Sequence, residues 1–285
     1  MLNILDFLDL LRVKQWYKNI VIFIPLIFSL KFFNINSFLL ILFGFFLLSL
    51  ISSASYIIND LRDIEKDKYH PEKCKRPLAS GKIKKTPALI ISGLLFILSL
   101  AIAFRLSKYF FLSLLGLFLL SQLYTFFIRK IAFLDIVFIS INFLIRAMSG
   151  TFLLNEPISF WATISPFLIS MCLVSEKRYN ELSIKDVEKY RPNLKQENRI
   201  KLKVISFTSI ILLFVMFTAY SLVMDKPKLL ISLPVSIYIT YLFFSDSYKN
   251  PLKIRNPEKF VFQPKVIISL IIWTILILLL FYNII

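Results

Sequence analysis

Apolar runs of roughly 20 residues, the length that spans a membrane as a helix, recur along the whole chain, and this feature constrains the fold most. Hydrophobic residues make up 58% of the sequence and the mean hydropathy is +0.75. Soluble domains are about 45–50% apolar. The sequence therefore predicts an all-α, polytopic membrane protein with about nine spans, approximately at 20–33, 38–58, 88–106, 109–128, 133–153, 160–174, 204–224, 229–244 and 266–282.

Lys and Arg residues are distributed unevenly between alternate loops. With the amino terminus inside, the inside segments hold 28 of the 34, the outside loops and the ends of the spans beside them hold five, and Arg146 lies within the fifth span. Because cytoplasmic loops carry the excess of Lys and Arg, we expect a multi-pass protein of the cell (inner) membrane. Its amino terminus would be cytoplasmic and its carboxyl terminus outside, with long cytoplasmic loops at about 59–87 and 175–203.

The net charge of +17 is concentrated in these loops and predicts anionic partners at the cytoplasmic face, either lipid headgroups or phosphorylated substrates. Nucleic acid is not an expected partner, because no soluble domain remains to bind it. Cys74 and Cys172 are expected to be free thiols. Residues 1–19 are polar and amphipathic, so we expect no cleavable signal peptide.

An acidic motif continues the second span. Asn59, Asp63 and Asp67 are spaced i, i+4, i+8, and Asp60 joins Asp63 and Asp67 at i, i+3, i+7, so the four share one helix face. Like charges in this arrangement repel, which favours a cation between them. Oxygen ligands without His or Cys suit Mg²⁺ bridging to a diphosphate. The alternative is a solvated helix end whose acids are neutralised by nearby lysines, Lys66 and Lys68.

Basic residues follow the acids in a loop shaped by two prolines and a glycine, at 70–81. Lys73 and Arg76 project from this loop, and bases that grip phosphate after acids that hold a metal indicate a diphosphate site. Arg146 is the one charge placed within a predicted span and away from its ends. Its burial costs at least ~2.5–3.5 kcal/mol and favours a functional role, with an ion pair to Asp135 as the structural alternative.

The sequence resembles the UbiA-type intramembrane prenyltransferase superfamily in its Asn-Asp-x-x-Asp-x-x-x-Asp and Arg-Pro-x-x-Ser-Gly motifs, at 59–81. It is most similar to the decaprenyl-phosphate phosphoribosyltransferase subgroup. Four features carry this second resemblance: residues 11–19 before the first span, His70-Pro71-x-Lys73, residues 143–150, and residues 176–182. Typical prenyl-diphosphate users carry a second Asp-rich motif after the sixth span, where this chain has Lys177, Arg178 and Tyr179.

The resemblance implies a single UbiA-like domain over 1–285, with helices around a central cavity open to the cytoplasmic side. It assigns Mg²⁺ to Asn59, Asp60, Asp63 and Asp67, and catalytic roles to Asp63, Asp67 and Glu181. Donor binding falls to Lys18, Tyr56, Lys73, Arg76 and Lys177, and lipid-phosphate binding to Arg129, Lys130, Arg146 and Arg178. Positive-inside topology is the alternative for Arg129, Lys130, Lys177 and Arg178, although it does not explain the Glu-Lys-Arg-Tyr-Asn-Glu order at 176–181. Interface snorkelling is the alternative for Lys18, and core packing is the alternative for Tyr56.

These features predict an Mg²⁺-dependent transfer of 5-phosphoribosyl from phosphoribosyl diphosphate (PRPP) to a polyprenyl (decaprenyl) phosphate, with release of diphosphate. The resemblance places the product in cell-envelope precursor synthesis and permits a homo-oligomer. The phosphate nucleophile is already ionised, so no general base is required and His70 is interpreted as a turn residue. The alternative enzyme moves a polyprenyl group from its diphosphate to an aromatic or glyceryl-phosphate acceptor. A transporter is disfavoured, because the spans hold little charge.

Overall fold

The computed structural model describes residues 3–69, 73–183 and 198–284, and the regular structure within them is helical. His70–Glu72 and Asp186, which belong to the predicted loops, lie outside these residues. The α-helices are α1 Ile4–Leu10, α2 Ile24–Phe28, α3 Ile35–Lys68, α4 Lys85–Leu106, α5 Lys108–Phe126, α6 Leu134–Leu154, α7 Phe160–Glu181, α8 Arg199–Val223, α9 Leu233–Lys249, α10 Pro251–Arg255, α11 Pro257–Val261 and α12 Pro264–Phe281. The 3₁₀-helices are Val13–Phe23, Lys73–Lys75, Ile128–Lys130 and Pro227–Ser232.

The all-α membrane class predicted from the sequence is confirmed. Among the described residues, seven helices are long and apolar enough to span a membrane: α3, α4, α5, α6, α8, α12 and the combined stretch Pro227–Lys249 that contains α9. The sixth predicted span forms α7, which is not among the seven. The total of nine spans stays a prediction.

The first predicted span, at 20–33, is not one continuous α-helix. The chain forms the 3₁₀-helix Val13–Phe23 and then the five-residue α2, with Pro25 in the first turn of α2. Proline lacks a backbone N–H and its ring clashes with the preceding helical turn, so it is tolerated at a helix start and disrupts a helix interior. The apolar composition was visible in the sequence, whereas the break in the helix follows from this proline.

The helices pack into two compact units, Met1–Ile158 and Ser159–Ile285. In the first unit α3 packs against α4, α5 and α6, and in the second α7 packs against α8 while α9 packs against α12. The prediction of a single domain over 1–285 stays a prediction. Cys74, in the first unit, and Cys172, in the second, form no disulfide among the described residues, as expected.

Polar contacts hold the 3₁₀-helix Val13–Phe23 against α3. Trp16 Nε1 donates to Ser53 Oγ at 3.0 Å, and the Ser53 hydroxyl donates to the Leu11 carbonyl at 2.7 Å. Asn19 Nδ2 donates to Ser49 Oγ at 2.9 Å. These serines lie on the buried face of α3, so the bonds fix the position of the 3₁₀-helix. Arg12 immediately precedes this helix and Lys18 lies within it, so both are positioned with it.

The same segment approaches α6 closely at Gly150. A Cβ atom placed on Gly150 would lie 2.2 Å from the Ile22 carbonyl oxygen, so only glycine permits this backbone approach. Ile22 is fully buried in the main apolar cluster of the first unit, which also contains Leu26, Leu48 and Phe110. Gly150 therefore sets how near the amino-terminal segment lies to the helix that carries Arg146.

We predict that Gly150→Ala destabilises the protein by about 1–3 kcal/mol, the usual cost of overpacking a well-packed site. Gly116→Ala is the matched control, because a Cβ atom there meets nothing within 4 Å and alanine favours a helix interior by about 0.5–1 kcal/mol. Thermal unfolding of both variants in detergent measures the difference. A Gly150→Ala protein as stable as the Gly116→Ala protein would contradict the close approach.

Candidate active site

The acidic motif lies at the end of α3, where the long helix passes from apolar to charged sequence. Asp60, Asp63 and Asp67 are 5%, 7% and 3% exposed, so all three carboxylates are buried. The predicted spacing on one helix face is observed. Three buried like charges on one face are strongly unfavourable unless opposite charges compensate them.

Arginines from three separate segments provide this compensation. Arg12 binds Asp60 through Nε, at 3.0 Å, and through a second guanidinium nitrogen. Arg76 lies between two acids, 2.9 Å from Asp60 Oδ1 and 2.6 Å from Asp67 Oδ2. Arg129 binds Asp63 with both terminal nitrogens, at 2.5 and 2.9 Å.

The buried acids make their hydrogen bonds with arginines and not with the nearby lysines, although Lys66 acts electrostatically on Asp63. Lys68 donates to Glu65 at 2.9 and 3.1 Å, and both side chains are exposed. The buried acids are paired with arginines that lie far away in the sequence. We call the three aspartates and their three arginine partners the acid–arginine cluster.

An apolar cluster positions two of these arginines. Leu10 and Leu11, which precede Arg12, pack with Leu78, which follows Arg76 by two residues. Ile57 and Ile64 of α3 lie in the same cluster. Hydrophobic packing therefore brings the amino-terminal segment and the 73–83 loop to the same stretch of α3. Arg12 also adopts a left-handed backbone conformation with φ 50°, which is uncommon for a non-glycine residue.

A second group of cations surrounds Tyr56, one helical turn before Asp60. Lys18, Arg146 and Arg12 act electrostatically on the Tyr56 hydroxyl. The Arg12 guanidinium carbon lies 5.2 Å from the centre of the Tyr56 ring. The structure therefore brings together Lys18, Tyr56 and Arg146, which the sequence assigned to two different ligands.

Arg146 is 6% exposed and lies over the Phe143 ring at 5.4 Å. Its Nε atom is buried and has no hydrogen-bond acceptor within the part of the chain that the structure describes. The ion pair with Asp135 is excluded by geometry: both residues lie on α6, and an offset of eleven positions separates their Cα atoms by ~16 Å. A buried guanidinium group with an unused donor is suited to bind an anion.

The remaining predicted site residues of the first unit are Asn59, Lys73, Arg129 and Lys130, and their contacts differ. Asn59 Oδ1 accepts a hydrogen bond from Thr125 Oγ1 at 3.4 Å. Lys73 is half-buried and acts electrostatically on Asp63, whereas Lys130 is exposed. Arg129, which the sequence assigned to the lipid phosphate, binds Asp63, and this hydrogen bonding raises the pKa of Arg129 above its ordinary value.

The chemistry of the acidic residues fits Mg²⁺, because Asn59, Asp60, Asp63 and Asp67 offer only hard oxygen ligands. Their present arrangement is not a metal cage. Within residues 3–69, 73–183 and 198–284, no group of three or more His, Cys, Asp or Glu side chains is gathered so that it could hold a metal ion. The carboxylates point instead to guanidinium groups.

Lys177, Arg178 and Glu181 lie at the end of α7 in the second unit. Arg178 is buried and donates to Glu181 Oε2 at 2.9 Å, and Lys177 is half-buried. Glu176, which is fully buried, accepts hydrogen bonds from Lys203 and Ser247. A cavity of about 460 Å³ lies beside this network, lined by Tyr179, Arg199, Ile200, Lys203, Val204, Phe207 and Thr208.

Arg12 is the main residue that the sequence reasoning undervalued. The sequence does not single it out, because an arginine before a span is also a topology signal. The left-handed turn at Arg12 and its bidentate contact with Asp60 depend on tertiary structure. The adjacent pair Leu10-Leu11 was the available signal that this segment is buried rather than lying on the membrane surface.

Comparison with known proteins identifies the family. Residues 21–262 match the UbiA prenyltransferase family. The chain belongs to this family. It is a multi-pass membrane protein of an enzyme family, as the acidic motif and the apolar helices predicted.

Among UbiA relatives, a decaprenyl-phosphate phosphoribosyltransferase of Mycobacterium tuberculosis is 30% identical over 178 residues, which are 61% of this chain and 59% of that protein. Another from Corynebacterium glutamicum is 30% identical over 195 residues, 64% of this chain and 59% of the relative. The uncharacterized protein y4nM of Sinorhizobium fredii is 32% identical over 176 residues, 62% of this chain and 34% of the relative. The chain thus matches between a third and three-fifths of the length of these relatives.

Solved structures of the family share the fold. A digeranylgeranylglyceryl phosphate synthase superposes with a TM-score of 0.67 at 22% identity, covering 99% of this chain and 98% of that chain. A UbiA homologue from Archaeoglobus fulgidus, bound to DMAPP and Mg²⁺, gives a TM-score of 0.57 at 17% identity, covering 97% and 96% of the two chains. At these identities the likeness shows the UbiA fold.

We predict that Arg12→Gln lowers stability by about 1–3 kcal/mol, because it leaves the buried Asp60 with less positive charge. The cost is below that of a fully buried pair, since the Arg12 side chain is 18% exposed. Lys14→Gln is the control, because Lys14 is 87% exposed and lies 3.8 Å from Asp9. Thermal unfolding in detergent of Arg12→Gln, Asp60→Asn and the double variant gives the coupling. Strictly additive losses would show that the pair does not stabilise the fold.

Proposed function

We propose that this UbiA family member transfers a 5-phosphoribosyl group from PRPP to a polyprenyl phosphate and releases diphosphate. One observation carries the proposal: the first unit combines a cluster of three buried carboxylates at the end of α3 with a group of cations around Tyr56, one helical turn away, of which Arg146 is buried. An acidic cluster suits a diphosphate leaving group bound with a metal ion, and a buried cation suits the phosphate of a lipid. The curated relatives named decaprenyl-phosphate phosphoribosyltransferase support this choice.

The acidic residues would serve the donor. Asn59 and Asp63, helped by Asp60 and Asp67, would hold Mg²⁺, which when bound supplies positive charge to the leaving diphosphate. Lys73 and Arg76 lie beside these acids and would grip donor phosphates. With the amino terminus in the cytoplasm, as the charge distribution predicts, this end of α3 faces the compartment from which a soluble phosphorylated donor arrives.

Arg146 would serve the acceptor. It is buried in an apolar helix, its Nε donor has no acceptor among the described residues, and its charge acts on the hydroxyl of Tyr56. A polyprenyl phosphate brings its headgroup to the membrane interface while its chain stays in lipid, so a cation on the membrane side of the donor site is well placed to orient it. The acceptor oxygen needs no general base, since a phosphate is ionised at neutral pH.

Catalysis in this scheme is positioning combined with electrostatic stabilisation. As the bond from the ribose C1 to the diphosphate breaks, positive charge develops at C1, and the carboxylates of Asp63 and Asp67 would stabilise it. Glu181 has the same assigned role, and Lys177 and Arg178 are assigned to the donor and the lipid phosphate. These three residues belong to the second unit, and their assignments rest on the family resemblance.

The second candidate is prenyl transfer from a polyprenyl diphosphate. It is favoured by the UbiA homologue of Archaeoglobus fulgidus, a relative in fold that is bound to DMAPP and Mg²⁺. It is disfavoured by the sequence after the sixth predicted span, where Lys177 and Arg178 replace a second Asp-rich motif. The two candidates differ in which substrate carries the diphosphate.

We expect the purified protein, with Mg²⁺, to transfer radiolabel from ribose-labelled PRPP into the lipid fraction when polyprenyl phosphate is present. Asp63→Asn should lower this transfer by roughly 100-fold or more, because the charge that stabilises the transition state is lost. Glu65→Gln is the matched control: it lies two residues away on the same helix, is exposed, and pairs with Lys68. Its transfer rate should match that of wild type.

A parallel reaction with a polyprenyl diphosphate and an aromatic or glyceryl-phosphate acceptor separates the two candidates. Product in this reaction, with no label transferred from PRPP, would replace the proposed function with prenyl transfer. Full transfer activity in Asp63→Asn would remove the acidic cluster from the mechanism.

We predict that Arg146→Gln raises the KM for polyprenyl phosphate roughly tenfold or more, because a charge-assisted hydrogen bond to phosphate is lost. The KM for PRPP should change little, and Arg146→Lys should recover part of the lipid affinity. Arg105→Gln removes an exposed arginine at the end of α4 and serves as the control. An increase in the KM for PRPP alone would assign Arg146 to the donor instead.

A further inference from the structure

The acid–arginine cluster uses the oxygens that a metal ion would need. Five of the six carboxylate oxygens of Asp60, Asp63 and Asp67 accept a hydrogen bond from an arginine. Mg²⁺ binds such oxygens directly, and its charge repels guanidinium groups at contact distance. A metal ion and these arginines therefore compete for the same atoms.

We propose that Arg129 is an exchangeable substitute for the metal at Asp63. It holds this carboxylate until a divalent cation binds, and the released guanidinium group then binds the ligand that carries the diphosphate. The planar, two-pronged donor geometry that now matches the Asp63 carboxylate also matches two oxygens of a phosphate group. The inference rests on the proposed function, because it requires that the acidic cluster receives a metal ion and a diphosphate.

Arg129 is better suited to this exchange than the other two arginines. It contacts Asp63 through both terminal nitrogens, so its departure opens both oxygens of one carboxylate. Arg76 bridges two aspartates, and Arg12 shares Asp60 with Arg76 while also lying over Tyr56. Removing either one leaves Asp60 still bound to the other.

The location of Arg129 also permits movement. It lies in the three-residue 3₁₀-helix Ile128–Lys130 between α5 and α6, and its side chain is 22% exposed. The flanking residues Phe127 and Lys130 are exposed. A short turn at the surface can redirect one side chain without repacking a helix, whereas the buried aspartates are fixed on α3.

If Arg129 exchanges with the metal ion, its removal should strengthen metal binding and weaken diphosphate binding. In the absence of diphosphate, Arg129→Gln should bind Mn²⁺ roughly tenfold more tightly than wild type, since the competing charge is gone. Electron paramagnetic resonance titration of the full-length protein in detergent measures free Mn²⁺ directly. With Mg²⁺ present, the same variant should bind labelled diphosphate more weakly than wild type.

Arg62→Gln is the matched control, because Arg62 is adjacent to Asp63 in sequence but is directed elsewhere. Its guanidinium group donates to the Phe126 carbonyl at 3.2 Å and lies 4.7 Å from the Phe126 ring centre. Its Mn²⁺ affinity should equal that of wild type. An equal gain in Arg62→Gln and Arg129→Gln would reduce the effect to a change in net charge and overturn the proposal.

A second variant tests the exchange from the side of the acid. In metal-free buffer with EDTA, Asp63→Asn should bind diphosphate roughly tenfold more tightly than wild type, because Arg129 is released from its carboxylate. With Mg²⁺ the order should reverse, since a metal ligand has been lost. Unchanged diphosphate binding in EDTA, or Mn²⁺ binding in Arg129→Gln no tighter than in wild type, would overturn the proposal.

Neither measurement uses PRPP or a lipid. If the exchange is observed while PRPP transfer fails, the proposed donor is wrong and the inference stands. If transfer occurs while both binding measurements fail, the inference alone is wrong. Arg129→Lys keeps the charge with a single donor group. We expect its Mn²⁺ affinity to lie between those of wild type and Arg129→Gln, which would also show that a substitution at this position leaves the metal site folded.

Discussion

The pairing of three buried aspartates with three arginines is the interaction on which the rest of the first unit depends. Asp60, Asp63 and Asp67 lie on one face of α3, where their mutual repulsion would make burial unfavourable. Arg12, Arg76 and Arg129 bring compensating charge from three segments that are far apart in the sequence. The polar end of a membrane-spanning helix thereby becomes the meeting point of the amino terminus, a loop and a turn.

Apolar packing makes this pairing possible. Leu10, Leu11 and Leu78 pack together with Ile57 and Ile64, so the segments that carry Arg12 and Arg76 are held against α3 by hydrophobic contact. A guanidinium group that is already positioned loses less conformational entropy when it pairs, and a partly buried pair is less screened by salt than a surface pair. Burial of the aspartates and order in the arginines therefore depend on each other.

The charge distribution along α3 also separates two kinds of chemistry. At the helix end, carboxylates and arginines balance each other, so a metal ion or a diphosphate can enter only by replacing existing contacts. One turn deeper, Tyr56 is surrounded by Lys18, Arg146 and Arg12, and Arg146 has a buried donor without an acceptor in the described part of the chain. This contrast is the physical basis for placing a soluble donor at one level and a lipid phosphate at the other.

Local sequence by itself determined the membrane helices and the shared face of the acids. Helical periodicity and apolar length are properties of consecutive residues, so α3 to α6, α8 and α12 could be predicted, whereas the break caused by Pro25 was missed in the first predicted span. Only the tertiary structure decided which residues pair with the acids. Arg12 is 48 residues from Asp60 in the sequence, Arg76 is 16 residues from Asp60, and Arg129 is 66 residues from Asp63. The nearby lysines were the alternative to a metal ion that the sequence offered, but the apolar packing around Leu11 and Leu78 brings Arg12 and Arg76 to the acids instead. Which opposite charge reaches a buried carboxylate depends on how the whole unit packs, and no local pattern encodes it.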